Sequence, residues 1–188
     1  MELTEITYRG PDITDQDIFG KLSEDYQNLL RQANGFIAFA GGLHVRGACL
    51  TPEWHSIRKV WLGDFALYKL YSSLNQTDAP FAQDCVGDQF ILREGMVHRL
   101  RAETGELHDL QMDLQTFMRS AQDDPVEFLS LYPLLQFQNE GGELEPGQLL
   151  SVYPPFCTKE SKNGVSLKAV PVFDRLEFLA YFSRQIGG

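Results

Sequence analysis

The chain has 188 residues, 43% hydrophobic and 22% charged, an ordinary globular composition that can bury a sizeable core and is too apolar for a disordered chain. Its 26 acids and 16 bases leave a net charge of −10, which repels phosphates and argues against direct nucleic-acid binding. No apolar run approaches the ~18 residues of a membrane helix, and the first ten residues (MELTEITYRG) lack the apolar core of a secretory signal, so a cytoplasmic setting is expected.

In chain order, Ile18, Leu22, Tyr26, Leu29, Leu30 and Ala33 recur at helical spacing between polar residues, which predicts one amphipathic helix over 17–33 with Leu22, Tyr26 and Leu29 buried. Asn34-Gly35 is its natural stop, since both residues tolerate the left-handed conformation that ends helices. Phe36 to Ala40 and Leu43 to Val45 read as short strands parted by Gly41-Gly42. Pro52-Glu53 opens a helical turn reaching toward Val60. Trp54 and Trp61 would share a face of a continuous helix, serving either as core or as an aromatic anchor for a partner.

A strand-rich stretch follows at 81–101. Gln89 to Arg93 and Met96 to Arg101 form a hairpin joined by Glu94-Gly95, preceded by a turn in which the Asp84 and Asp88 carboxylates can accept backbone amides. Another strand is expected over 106–110. Asp113 then caps a helix with Leu114, Phe117, Met118 and Ala121 on its apolar side, and Asp124-Pro125-Val126-Glu127 starts a second one. The remainder reads as a loop at 139–147, an extended Tyr153-Pro154-Pro155-Phe156, a turn at 161–164, a strand over 165–172 and a final helix over 174–186 capped by Asp174.

Charge is unevenly placed. Between Ala102 and Glu145 stand ten acids and one base, Arg119, which accounts for nearly all of the excess. Such a block either solubilises a surface or steers a basic partner. Glu103, Glu106, Asp109 and Asp123 have the weakest claim to capping roles and are therefore the candidate docking carboxylates, beside Trp54 and Trp61. The three cysteines, Cys49, Cys85 and Cys157, form no CxxC pair, and the four histidines are scattered singly, so no metal site and no cofactor are expected. No nucleophile elbow or phosphate-cradling loop is present.

Taken together, Leu22, Asp25 and Tyr26, then Asn34-Gly35, then Asp84, Gly87, Asp88, Gln89 and Phe90, then Val97 and Arg99 resemble the ordered motifs of the SUKH superfamily, with Ser23 where a proline is usual. That superfamily includes yeast cell-wall-synthesis regulators and bacterial toxin-immunity proteins. Gly147, Gln148, Leu149, Pro155 and Phe156 resemble the tail of longer bacterial members. The resemblance implies a single α+β domain over 1–145, a largely antiparallel sheet flanked by helices, with 146–188 an extension docked on it. It further implies a non-enzymatic protein binder, a monomer or weak homodimer, that neutralises a toxin by occupying it. The alternative from another class is a small hydrolase or ligand-binding enzyme using Asp84, Asp88 and His98, which requires those side chains to converge on a cleft.

Overall fold

A computed structural model describes residues 5–186. Seven strands, β1 (Ile6–Arg9), β2 (Phe36–Ala38), β3 (Leu43–Val45), β4 (Ala79–Asp84), β5 (Gln89–Arg93), β6 (Met96–Arg101) and β7 (Glu106–Asp113), pair antiparallel in their chain order. The β5–β6 turn has both Glu94 and Gly95 at positive φ, 52° and 82°, the two-residue geometry whose twist matches that of the strands it joins. It sets the register from Arg93 opposite Met96 to Gln89 opposite Leu100.

Alternate residues of β5 enter two apolar layers. Phe90 and Leu92 pack with Tyr26, Leu29 and Leu30 of helix α2 (Glu24–Gln32), with Leu114, Phe117 and Met118 of α4 (Leu114–Asp123) and with Leu129 of α5 (Pro125–Leu129). Ile91 packs on the other side with Leu100, with Val60 of α3 (Ile57–Trp61), with Leu149 of β8 (Gln148–Tyr153) and with Leu176 and Leu179 of α7 (Val172–Ile186). β4 is buried along its whole length. The sheet is therefore a wall shared by two apolar layers, and the chain is one α+β domain as its sequence predicts. A structural consequence is measurable at Leu29: Leu29→Ala removes a side chain buried between α2 and α4 and should cost about 2 to 5 kcal/mol in urea unfolding. A loss under about half a kcal/mol would place that face at the surface.

The first helix differs from the single one expected over 17–33. A short α1 (Gln16–Phe19) is capped by Asp15, whose Oδ1 accepts from Ile18 N at 3.1 Å, and the chain breaks before α2 begins after an extended Ser23. Ile18, Leu22, Tyr26 and Leu29 are all buried nonetheless, so the apolar spacing survives a break that it did not reveal. The turn after Pro52 is likewise divided. A 3-10 turn at Glu53–His55 is followed by extended Ser56 before α3, so Trp54 and Trp61 do not share a continuous helix.

Beyond α5 lies an unpredicted helix, α6 (Tyr132–Asn139). The tail then forms a two-stranded sheet of β8 with β9 (Ser166–Pro171). Leu150 N donates to the Cys85 carbonyl at 2.7 Å, tying β8 to the turn after β4. α7 begins at Val172, two residues before the expected cap, so Asp174 lies inside its first turn. Gly87, at φ 104°, packs against α7: an added Cβ would lie 2.7 Å from Leu179 Cδ1.

Candidate functional site

The most densely bonded polar feature is the turn between β4 and β5. Asp84 Oδ1 accepts from the amides of Val86, Gly87 and Asp88, each at 3.0 Å, and Oδ2 accepts from Arg99 Nη2 at 2.8 Å. Asp88 Oδ1 accepts from Ala102 N at 2.9 Å, while Oδ2 takes Arg99 Nε at 3.0 Å and Arg101 Nη1 at 3.1 Å. Burial, and then the charge on Asp88, push the Asp84 carboxyl up to about 7, with Arg99 and the amides acting against them. Every bond Asp84 makes here is accepted rather than donated, which is the bonding of an ionised carboxylate. The turn expected from Asp84, Gly87 and Asp88 is thus present, and it is sealed by two arginines of β6.

The enzyme alternative needs His98 beside these carboxylates. His98 and Arg99 are neighbours on β6 and so leave opposite faces of the sheet; Arg99 is the one that reaches both aspartates. His98 Nδ1 lies 3.4 Å from the Met96 carbonyl. Asp84, Asp88 and His98 do not converge.

A second buried polar group crosses the sheet from β3 to β5, where His44 is opposite Gln83 and Gln83 opposite Gln89. Arg46, 1% exposed, reaches into this row without any carboxylate: Nη1 donates to the Pro80 carbonyl at 2.8 Å and Nη2 to Gln89 Oε1 at 2.7 Å and to Gln83 Oε1. Burial lowers its pKa to about 10, which still leaves it charged at neutral pH. His44 Nε2 and His55 Nδ1 are 2.9 Å apart, and His55 Nε2 lies 2.9 Å from the Asn34 carbonyl. A carbonyl only accepts, so His55 holds its proton on Nε2 and its Nδ1 accepts from His44 Nε2. His44 Nδ1 is then free to accept from Gln83 Nε2 at 3.3 Å. The chain of bonds requires both rings neutral, and burial lowers both pKa values, that of His55 to about 4. No local sequence signal marks this group, because its members are as far apart as Asn34 and Gln89.

The candidate docking residues fare unequally. Trp61 is 7% exposed, its Nε1 donating to the Gln76 carbonyl at 3.0 Å, and Trp54 is half-buried among Tyr8, His44 and His55. Neither tryptophan is a free anchor. Glu103 has a structural task that sequence reasoning missed: its carboxylate accepts from Phe156 N at 3.2 Å and Cys157 N at 2.9 Å, fastening the tail to the β6–β7 turn. Glu106, Asp109 and Asp123 are exposed. Glu106 is opposite Arg101 and Asp109 opposite His98, three positions apart on an extended strand, so they leave β7 on opposite sides and the four carboxylates do not form one cluster. Exposure is broader than those four, however. Nine of the ten acids between Ala102 and Glu145 are exposed, Glu103 being the exception, and so is Arg119.

Among the described residues, no group of His, Cys, Asp or Glu is placed to hold a metal ion, and no helix is long and apolar enough to cross a membrane. Cys49 and Cys85 are buried, Cys157 is exposed, and all three are free thiols.

No family model matches the chain. No curated protein matches it either. Its fold is similar to the crystal structure of Atu4351 from Agrobacterium tumefaciens, with a TM-score of 0.55 at 14% identity over 93% of this chain and 85% of that one. At that identity the likeness establishes the α+β architecture.

Proposed function

We propose that this chain is a non-enzymatic protein-binding module of the immunity type, which neutralises a cognate bacterial toxin by direct binding in the cytoplasm, as the resemblance to SUKH proteins implies. The observation that carries the reading is the asymmetry of exposed charge. Nine exposed carboxylates against the single Arg119 lie between Ala102 and Glu145, and three of them, Glu106, Asp109 and Asp113, stand on β7 at an edge of the sheet. An excess of exposed charge of one sign accelerates encounter with a partner of the other, so the fitting partner is a basic toxin domain.

The resemblance is supported by what its residues do. Tyr26 donates its hydroxyl to the Arg46 carbonyl at 2.6 Å, and Asn34 bridges the Pro11 carbonyl and the Ala48 amide. Asp84 and Asp88 hold their turn through Arg99. These are fold-forming tasks, the kind that fix a motif's spacing while leaving the surface free to change with its partner.

The test begins with partners captured by the purified chain from its native cell and compares wild type with Glu106→Lys/Asp109→Lys in association kinetics. Rim charges act on the encounter, so the double reversal should slow association at low salt and flatten its salt dependence, while the fold is kept and the loss of the Asp109 Oδ1 acceptor for Gln111 N costs about 1 kcal/mol in unfolding. Association rates at low salt that ignore the reversal would return these acids to the role of solubilising surface.

A further inference from the structure

One buried cation lacks the partners that its burial demands. Arg175 on α7 is 2% exposed, yet its guanidinium makes a single hydrogen bond, from Nε to the Val86 carbonyl at 3.2 Å. Nη2 stands 3.8 Å from Glu103 Oε1, beyond hydrogen-bond range, and Nη1 is buried with no partner among the described residues. Glu103 is already committed to the Phe156 and Cys157 amides. A guanidinium in this state bears the desolvation cost of N–H groups that nothing accepts, and an incoming acceptor would relieve it.

Room for one exists. Arg175 lines a cleft of about 280 Å³ with Asp88, Arg101, Glu103, Glu106 and Phe156. The planar fork of an arginine matches a carboxylate or a phosphate, and a cleft with a surplus acid disfavours the doubly charged phosphate. Charge selects further. Around the cleft the three guanidinium charges of Arg99, Arg101 and Arg175 equal in number the three carboxylates of Asp84, Asp88 and Glu103, and exposed Glu106 is the surplus carboxylate. A ligand bearing only negative charge would be opposed by Glu106, whereas one that also bears an ammonium would be favoured by it.

We propose that this cleft binds a small zwitterion of the α-amino-acid class, its carboxylate at Arg175 Nη2 and its ammonium toward Glu106. The site shares Glu106 with the protein-binding reading, but its test reads amino-acid binding by the isolated chain and needs no protein partner.

The experiment is NMR titration of the full chain with the common free amino acids, with their N-acetyl forms and with acetate, at constant ionic strength. At least one free amino acid should give saturable shifts of the Arg175 Nε–H and the Cys157 amide, and its N-acetyl form and acetate should bind about tenfold more weakly or worse. Glu106→Gln, an exposed change that leaves the fold intact, should bring the free amino acid down to the affinity of its N-acetyl form. Arg175→Lys should abolish saturation by every probe. Absence of saturable shifts with all the amino acids would overturn the proposal, as would equal binding of the N-acetyl form or indifference to Glu106→Gln.

Discussion

Asp84→Ala should destabilise the protein by about 3 to 5 kcal/mol, because it strands the Val86 and Asp88 amides, leaves the Gly87 amide only its bond to the Asp84 carbonyl and takes a carboxylate from a buried arginine. Val86, Gly87 and Asp88 all donate to Asp84 Oδ1, and Arg99, whose side chain is mostly buried, loses one of its two carboxylates. None of these groups can turn to water without opening the turn that links β4 to β5. Asp84→Asn should fall between wild type and alanine, since its Oδ1 still accepts the amides while its NH₂ confronts the Arg99 donor. Urea unfolding followed by circular dichroism measures both. A loss below about 1 kcal/mol for the alanine variant would show that the turn is held by its backbone alone.

The histidine pair predicts an acid sensitivity of comparable size. An unfolded histidine takes up its proton near pH 6.5, whereas folded His55 resists protonation down to about 4 because of burial, offset in part by its bond to the Asn34 carbonyl. The unfolded chain therefore binds the extra proton across that interval, and stability that is complete above pH 6.5 is lost as pH falls toward 4. His55 alone accounts for about 3 kcal/mol over the interval, and His44, fully buried and shifted in the same direction by burial and then by His55, adds to it. Asp84 works with the opposite sign over the same range, since a carboxyl raised toward 7 takes up its proton more readily when folded. Comparison with His55→Gln cancels that contribution. Between pH 6.5 and 4 the wild type should lose about 3 kcal/mol more than His55→Gln in urea unfolding. Parallel curves would mean that the ring is already protonated or already solvated at neutral pH.

The parts of the fold legible in sequence are those written in local chemistry. Asp113 and Asp124 announce helix starts because an N-cap needs only an acceptor a few residues from its donors, and the structure has Asp113 accepting from Thr116 N and Asp124 from Glu127 N. Glu94-Gly95 announces a hairpin for the same reason. β1 escapes notice because four residues on a sheet edge, with a register shift between Ile6 and Tyr8, carry too little pattern. The break before α2 escapes because Ile18 and Leu22 keep their apolar spacing across it. The candidate site is less legible still. Glu103 looks free in sequence because the amides it holds lie 53 and 54 residues away, and Arg175 gives no sign of its cleft because the walls come from the β4–β5 turn, from β6 and β7 with the turn between them and from the tail. Trp54 and Trp61 mislead because their spacing assumes a helix that extended Ser56 interrupts.

The serial order of the seven-stranded sheet also governs how the chain can assemble. Each strand finds its partner in the segment just made, and the four from Ala79 to Asp113 are joined by short turns, so their pairings close small loops at little entropic cost. The wider gaps, between β1 and β2 and between β3 and β4, hold helices that pack onto strands already adjacent in the chain. The last segment, β8 through α7, instead closes on a surface built far upstream, so the second apolar layer, in which Val60, Leu67 and Tyr71 already stand beside Ile91 and Leu100, is complete only when Leu149, Leu176 and Leu179 are in place.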